Sequence, residues 1–302
     1  MATPSTTGVQ AQLRPELGAS VQQFDAIAAE QGMVGLQVMR PKSVPIQNGY
    51  IGLIKLEELM KDDVQNGRAP GAMYARQDTK FTNFTFSTAE YGEEEVLDDR
   101  ERALYSMYLD QEMIAAQRIQ GRLMRRLEKE ILDQLMDTTN NFTAALGLTT
   151  TASAAWTTAS TDIIGDVKAA KLAMRAASGM LPNVMVVSLK TYLGMCVNTA
   201  IIDRMKYAGF RDPQMAAFMA DTNVMAQAVG VDKILVSGMM RNSAKEGQSR
   251  SLASLWTETV VGFYRAAVSD DIKEPCVGRT FVWTEDGANP DGSVVFDSMA
   301  PT

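Results

Sequence analysis

The run VLDDRERALYSMYLDQEMIAAQRIQGRLMRRLEKEILDQLM, residues 96–136, limits the shape of this chain more than any other stretch. It holds no proline and a single glycine, Gly121. Its apolar residues recur at helical spacing: Leu97, Leu104, Met107, Tyr108, Ile114, Ala115, Ile119, Leu123, Leu127, Ile131 and Leu135. A helix of about forty residues, rising 1.5 Å per residue, is a rod of roughly 60 Å. A compact chain of 302 residues has a radius of gyration of only about 19 Å, hence a diameter near 50 Å. The rod spans the globule it would have to fit inside. The spacing predicts a molecule that is not a simple ball.

Two strands precede the rod. YIGLIKLE (50–57) and TKFTNFTFST (79–88) are rich in aromatic and β-branched residues. The second sets Thr82, Phe84 and Phe86 on one face and Phe81, Asn83 and Thr85 on the other. The connection of about twenty residues between them is too long for a loop within a compact domain, so the pair reads as a projecting hairpin. Two lone strands are marginal in water, which implies a partner.

Around these elements the chain is mixed. Residues 1–20 are polar and small and read as an arm, and SVQQFDAIAAEQG suggests a short helix with Ser20 as N-cap. The two prolines of MRPKSVPIQNGY favour extended chain. After the rod, TTNNFTAALGLTTTASAAWTTASTD is a small-residue loop, followed by a helix, DIIGDVKAAKLAMRAASG, that ends at Gly179. Further helices are expected around Ile201–Tyr207 and Asp221–Val229, and strands at KILVSGMM (233–240) and SLWTETVVGFYRA (254–266). The chain closes with VGRTFVWTEDGANPDGSVVFD, two short strands about a polar turn. The class is α+β.

Composition narrows function. A net charge of −7 disfavours a general nucleic-acid binder, which needs a dominant basic face to displace counterions from phosphates. No apolar run is long enough to span a bilayer, so no membrane partner is expected. MATPSTTGVQAQ does not have the pattern of a secretory signal. Cys196 and Cys276 lie far apart with no ligand-like spacing, as in a reducing compartment. There is no histidine, which removes every triad with a histidine base and the commonest zinc and non-haem iron sites. The phosphate-loop, dinucleotide and nucleophile-elbow motifs are absent. No catalytic residue, metal or cofactor is expected.

One cluster still needs an account. EYGEEEVLDDRER, residues 90–102, holds seven acidic side chains. On a helix the consecutive Glu93, Glu94 and Glu95 point about 100° apart and cannot converge on one ligand. Glu94 and Asp98 have a ligand-like interval, but Arg102 competes for Asp98. The expected role is the head of the long helix, where acidic groups oppose the macrodipole for about 0.3–1 kcal/mol each. Farther along, Arg118, Arg122, Arg125 and Lys129 form a basic stripe. A solvated face, a packing surface for a neighbour's acidic residues, and contact with enclosed nucleic acid are its three readings. Trp156, Trp256 and Trp283 could be ligand platforms, but Trp256 and Trp283 lie in strand patterns and read as core. The twenty methionines, clustered at Met215, Met219 and Met225 and at Met239 and Met240, read as core filler or as an adaptable interface.

The order of these elements resembles the major capsid protein of tailed bacteriophages, the Hong Kong 97-type fold. NVMVVSLKTYLGMCVNTAIIDRMKYAG is similar to that family's strand, helix and following segment. AVGVDKILVSGMMRNSAKEG resembles its strand and polar loop, SLWTETVVGFYRA its next strand, and EPCVGRTFVWTEDG its closing segment. The resemblance runs from about residue 15 to the end. It implies an N-terminal arm (1–48), an E-loop hairpin (49–92) lying over a neighbouring subunit, a spine helix with its P-domain (93–149), an A-domain (150–265), and a return to the P-domain (266–302).

The resemblance also implies partners. The chain is expected to form hexamers and pentamers of a virion shell, with packaged double-stranded DNA held non-specifically on its inner face. The lack of a long N-terminal extension favours a separate scaffolding protein, and portal and decoration proteins are further expected partners. Some members cross-link through lysine and asparagine, but nothing at Lys55, Lys61 or Lys80 identifies a reactive pair. Inter-subunit contacts are expected at Tyr74, Arg76, Lys80 and Phe84 of the hairpin, at Glu93, Glu94 and Glu95, and at Arg118, Arg122, Arg125 and Lys129. The alternatives are an encapsulin-type compartment shell and, more remotely, a histidine-free cytosolic enzyme.

Overall fold

The computed structural model describes residues 10–13, 32–54, 58, 60–61, 70–71, 73, 80–98, 100, 103, 111–207, 221–245, 247–283 and 296–299. Within these the chain is a mixed α+β protein with helices and small sheets. A three-stranded sheet is at its centre: β5 (Val184–Ser188) lies between β6 (Lys233–Ser237), parallel to it, and β9 (Gly262–Tyr264), antiparallel. Every residue of β5 is buried, as expected of a strand covered on both faces. The period of two divides it. Met185 and Val187 pack into one core with Trp156, Ile163, Tyr192, Met195, Ile201 and Met225. Val184 and Val186 pack into a second with Val34, Val38, Ile131, Leu132, Leu135, Trp256 and Tyr264.

The first core is roofed by helices that start and stop where local chemistry dictates. Helix α3 (Ile163–Ser178) begins at Asp162, whose carboxylate accepts from Gly165 N–H at 3.0 Å, and ends on Gly179 at φ +71°. Helix α4 (Leu189–Cys196) is capped by Ser188 Oγ, which accepts from Thr191 N–H at 3.1 Å. Helix α5 is Thr199–Tyr207, and α6 (Thr222–Val229) is capped by Asp221 and closed by Gly230 at φ +83°.

The second core rests on α2 (Gln111–Met136), the described part of the long run. Its length is 26 residues, roughly 39 Å at 1.5 Å per residue. Residues 100 and 103 are also helical, but residues 91–98 are not. The expected start of the helix near Glu95 is therefore corrected. Asp98 Oδ1 accepts from Arg100 N–H at 2.9 Å, so the acidic residue that opens the helical stretch is Asp98.

Part of the expected arm packs against the rest of the chain. Met33, Val34 and Val38, within residues 1–48, are buried in the second core, because α1 (Gly35–Val38) lies against α2. The Ser20 helix lies outside the described residues, as do Met215 and Met219. Met225 and Met239 are buried and Met240 is exposed.

Strand pairing departs from the sequence reading at three places. The closing strands β10 (Thr280–Trp283) and β11 (Phe296–Met299) do not pair with each other. β10 runs parallel to β2 (Pro41–Val44), and β11 runs antiparallel to β1 (Gln10–Leu13). The stretch 254–266 is not one strand. It holds the end of β8 (Leu252–Ser254), a bend, and β9. At the bend Trp256 is fully buried, with its indole N–H on Val260 O at 2.8 Å. The strand expected over 233–240 stops at Ser237, and Met240 opens β7 (Met240–Asn242), which pairs with β8. Trp283, expected in the core, is only half-buried.

Candidate functional site

The hairpin is built as its sequence pattern predicts. β3 (Asn48–Ile54) pairs antiparallel with β4 (Phe81–Ser87), in a register that sets Ile51 opposite Phe84 and Gly49 opposite Phe86. The glycine is needed there, since a Cβ on Gly49 would meet the Phe86 ring at 2.8 Å. Phe86 packs on Phe281 of β10, ring centroids 4.9 Å apart, which anchors the base to the β2–β10 pair. Beyond that anchor the hairpin is open. Tyr50 is 78% exposed, Phe81 71% and Phe84 52%. Tyr50, Ile54 and Phe81 share one face and Phe84 the other. Lys80 is exposed beside Phe81, whereas Tyr74 and Arg76 lie outside the described residues.

After β4 the chain runs back along α2. Thr88 N–H and Oγ1–H both donate to Gln47 O, at 3.0 and 3.1 Å, and close the hairpin base. Then Tyr91 lies under the Arg126 guanidinium, 3.9 Å from ring centroid to Cζ. Arg122 Nη1 donates to Glu93 Oε1 at 2.6 Å, and Arg118 pairs with Glu95. On one continuous helix Glu95 and Arg118 would be roughly 35 Å apart. With Tyr91 on Arg126 and Glu93 on Arg122, this pairing means that residues 91–95 run antiparallel to α2. The acidic cluster and the basic stripe, read from sequence as two parts of one rod, therefore meet within the same chain.

The rest of the stripe is divided. Lys129 pairs with Asp133 one turn on. Arg126, which the sequence reading left out, takes the place in the row expected for Arg125 and also bonds Glu130 at 3.2 Å. Arg125 and Glu94 are exposed. Most of the stripe's charge is thus neutralised locally, which leaves little of it for phosphates. Among the described residues, no three of His, Cys, Asp or Glu gather as a metal-holding group.

A second charged feature was not anticipated. Glu128, on the same α2 stripe as Leu132 and Leu135, is 1% exposed. Its Oε1 accepts from Val34 N–H at 2.8 Å, and both carboxylate oxygens accept from Gly35 N–H at 3.0 and 2.9 Å. Burial pushes its pKa up, and the two amides offset part of that. A Cβ on Gly35 would meet Glu128 Oε2 at 2.6 Å, so the close approach depends on glycine. The sequence signal was a carboxylate at an apolar-stripe position. Its partners are backbone groups, which leave no mark in a side-chain pattern.

Other conspicuous groups hold the scaffold together. Trp156 is buried, with its indole N–H on Asp166 Oδ2 at 2.9 Å, so it is part of a core and not an open platform. Tyr264 O–H donates to Leu135 O at 2.7 Å, satisfying a carbonyl in the last turn of α2. Glu274 accepts from Val268 N–H, Ser269 N–H and Ser269 Oγ–H, and these bonds hold its carboxyl at about 2. Cys196 and Cys276 form no disulfide. Among the described residues no helix is long and apolar enough to cross a membrane.

No protein-family model matches the chain, and no curated protein matches it by sequence. Among solved structures, the crystal structure of a phage-related protein from Bordetella bronchiseptica is similar to it, with a TM-score of 0.59 and 18% identity. The match covers 95% of this chain and 91% of that one. At that identity the likeness is one of fold, and it extends over nearly the whole of both chains. The chain shares the fold of a phage-related protein.

Proposed function

We propose that this chain is a major capsid protein of the tailed-bacteriophage, Hong Kong 97-like type. It acts as a structural subunit, not an enzyme, and assembles as hexamers and pentamers into an icosahedral head. In this reading β3 and β4 are the base of the E-loop, α2 belongs to the spine helix, and the β2–β10 pair belongs to the P-domain. The three-stranded sheet with α3–α6 is the A-domain. Double-stranded DNA lies against the inner face without sequence recognition, and scaffolding, portal and decoration proteins are the further partners. Its place is the virion.

The open hairpin carries the reading. Tyr50, Phe81 and Phe84 leave large apolar rings in water on a two-stranded sheet, and burying each is worth about 1.5–3 kcal/mol. A neighbouring copy supplies that cover at every position in a shell. The likeness of fold to a phage-related protein over 95% of the chain supports the same conclusion.

The test is sedimentation velocity and negative-stain microscopy of the purified chain over rising concentration. The expected species are capsomer rings or closed particles. A monomer at every concentration up to about millimolar overturns the proposal.

A further inference from the structure

The contacts of residues 91–95 with α2 form a regular ladder. Tyr91, Glu93 and Glu95 are two residues apart, and their partners Arg126, Arg122 and Arg118 are four apart in the opposite direction. Two residues of extended chain advance roughly 6.6 Å, and four residues of helix roughly 6.0 Å. The two repeats nearly coincide, so three successive contacts stay in register without distorting either segment. Of these five residues only Glu95 is half-buried; Tyr91, Gly92, Glu93 and Glu94 are exposed.

We propose that residues 91–95 are an electrostatic strap that sets the angle between the hairpin and α2, and that this strap releases when its charges are screened. The hairpin has two described anchors. One is apolar, Phe86 on Phe281, and indifferent to salt. The other is the strap, and every contact in it involves an arginine. Both arginines of its ion pairs are at least half exposed, with Arg118 at 57% and Arg122 at 50%, so each pair is individually weak and open to counterions. Screening tightens from about 8 Å at physiological ionic strength to about 3 Å at 1 M. Releasing the strap leaves the hairpin hinged at Phe86, free to re-aim without unfolding either core. The strap stands on the chain's own contacts; its use in assembly rests on the shell reading above.

The experiment places spin labels at Asn83 in β4 and Arg125 in α2, both exposed, in a Cys196→Ser, Cys276→Ser background, and reads their distance by pulsed electron resonance on dilute subunits. At about 0.05 M salt one narrow distance is expected. At 1 M a second population should grow, with the docked-to-released ratio falling on the order of tenfold. Arg118→Glu with Arg122→Glu should show the released population at low salt. Adding Glu93→Arg and Glu95→Arg to that variant should restore the docked distance. If the arginine variant loses its far-ultraviolet dichroism, the milder Glu93→Gln, Glu95→Gln pair replaces it. A distance that stays narrow and unchanged in the variants and at 1 M salt overturns the strap, and so does failure of the charge swap to restore it. Light scattering of the same samples separates the two claims. A distance that responds to charge in a chain that never assembles leaves the strap standing and removes the shell.

Discussion

At the scale of single residues, Glu128 makes the strongest demand on the fold. For a carboxylate held against Val34 and Gly35 amides in a core, burial disfavours the charged form and the two donors offset only part of that, so the pKa is raised. The sign follows from the raised folded pKa. The protonated form is favoured in the folded chain, so the group's contribution is full below its unfolded value and is lost as pH rises through the folded value. Measured by urea unfolding between pH 4.5 and 8, the wild type should lose stability relative to Glu128→Gln as pH rises. The slope is limited to about 1.4 kcal/mol per pH unit for one proton. A difference that runs the other way would mean that the amides dominate. Glu128→Ala orphans both donors and should cost about 2–3 kcal/mol at any pH in the range.

At the scale of elements, legibility followed locality. Helix α3 could be read from sequence at both ends, because Asp162 and Gly179 act on their own backbone. Asp221 and Gly230 mark α6 in the same way. The two faces of β4 could be read from the alternation of Phe81 to Phe86, whereas its register against β3 could not. What could not be read depends on partners far along the chain: β10 on β2, β11 on β1, and Glu128 on residues 94 and 93 positions away. The error over Glu93–Glu95 has the same origin. The helical pattern of residues 96–136 gives no sign that residues 91–95 run back along α2, which only the pairing with Arg118 and Arg122 reveals. The local determinants can be measured one at a time. Asp162→Ala removes the acceptor for Gly165 N–H and should lower stability by about 1 kcal/mol, with Asp162→Asn retaining most of it. A thermal melt that cannot distinguish Ala from wild type would show that α3 is held by Ile163 and Val167 alone.

At the scale of the whole molecule, two closed cores and an open hairpin divide the tasks of folding and association. The cores lie on opposite faces of the β6–β5–β9 sheet and, among the described residues, include none of β3 or β4. Folding should therefore be insensitive to the hairpin's exposed rings, and association should depend on them. Tyr50→Ser with Phe81→Ser removes two rings from the face that does not pack on Phe281. Each substitution is at a surface position, where changes stay within about 0.5 kcal/mol of neutral, so the melting curve of the dilute subunit should hardly move. Each ring that a neighbour would cover contributes about 1.5–3 kcal/mol to a contact. Losing two of them in every copy weakens each contact by several powers of ten, since about 1.4 kcal/mol is tenfold. Sedimentation at the concentration where the wild type assembles should then show subunits alone. Wild-type assembly by the double variant would move the interface away from this face, and a large fall in melting temperature would mean that the hairpin belongs to the subunit's own core.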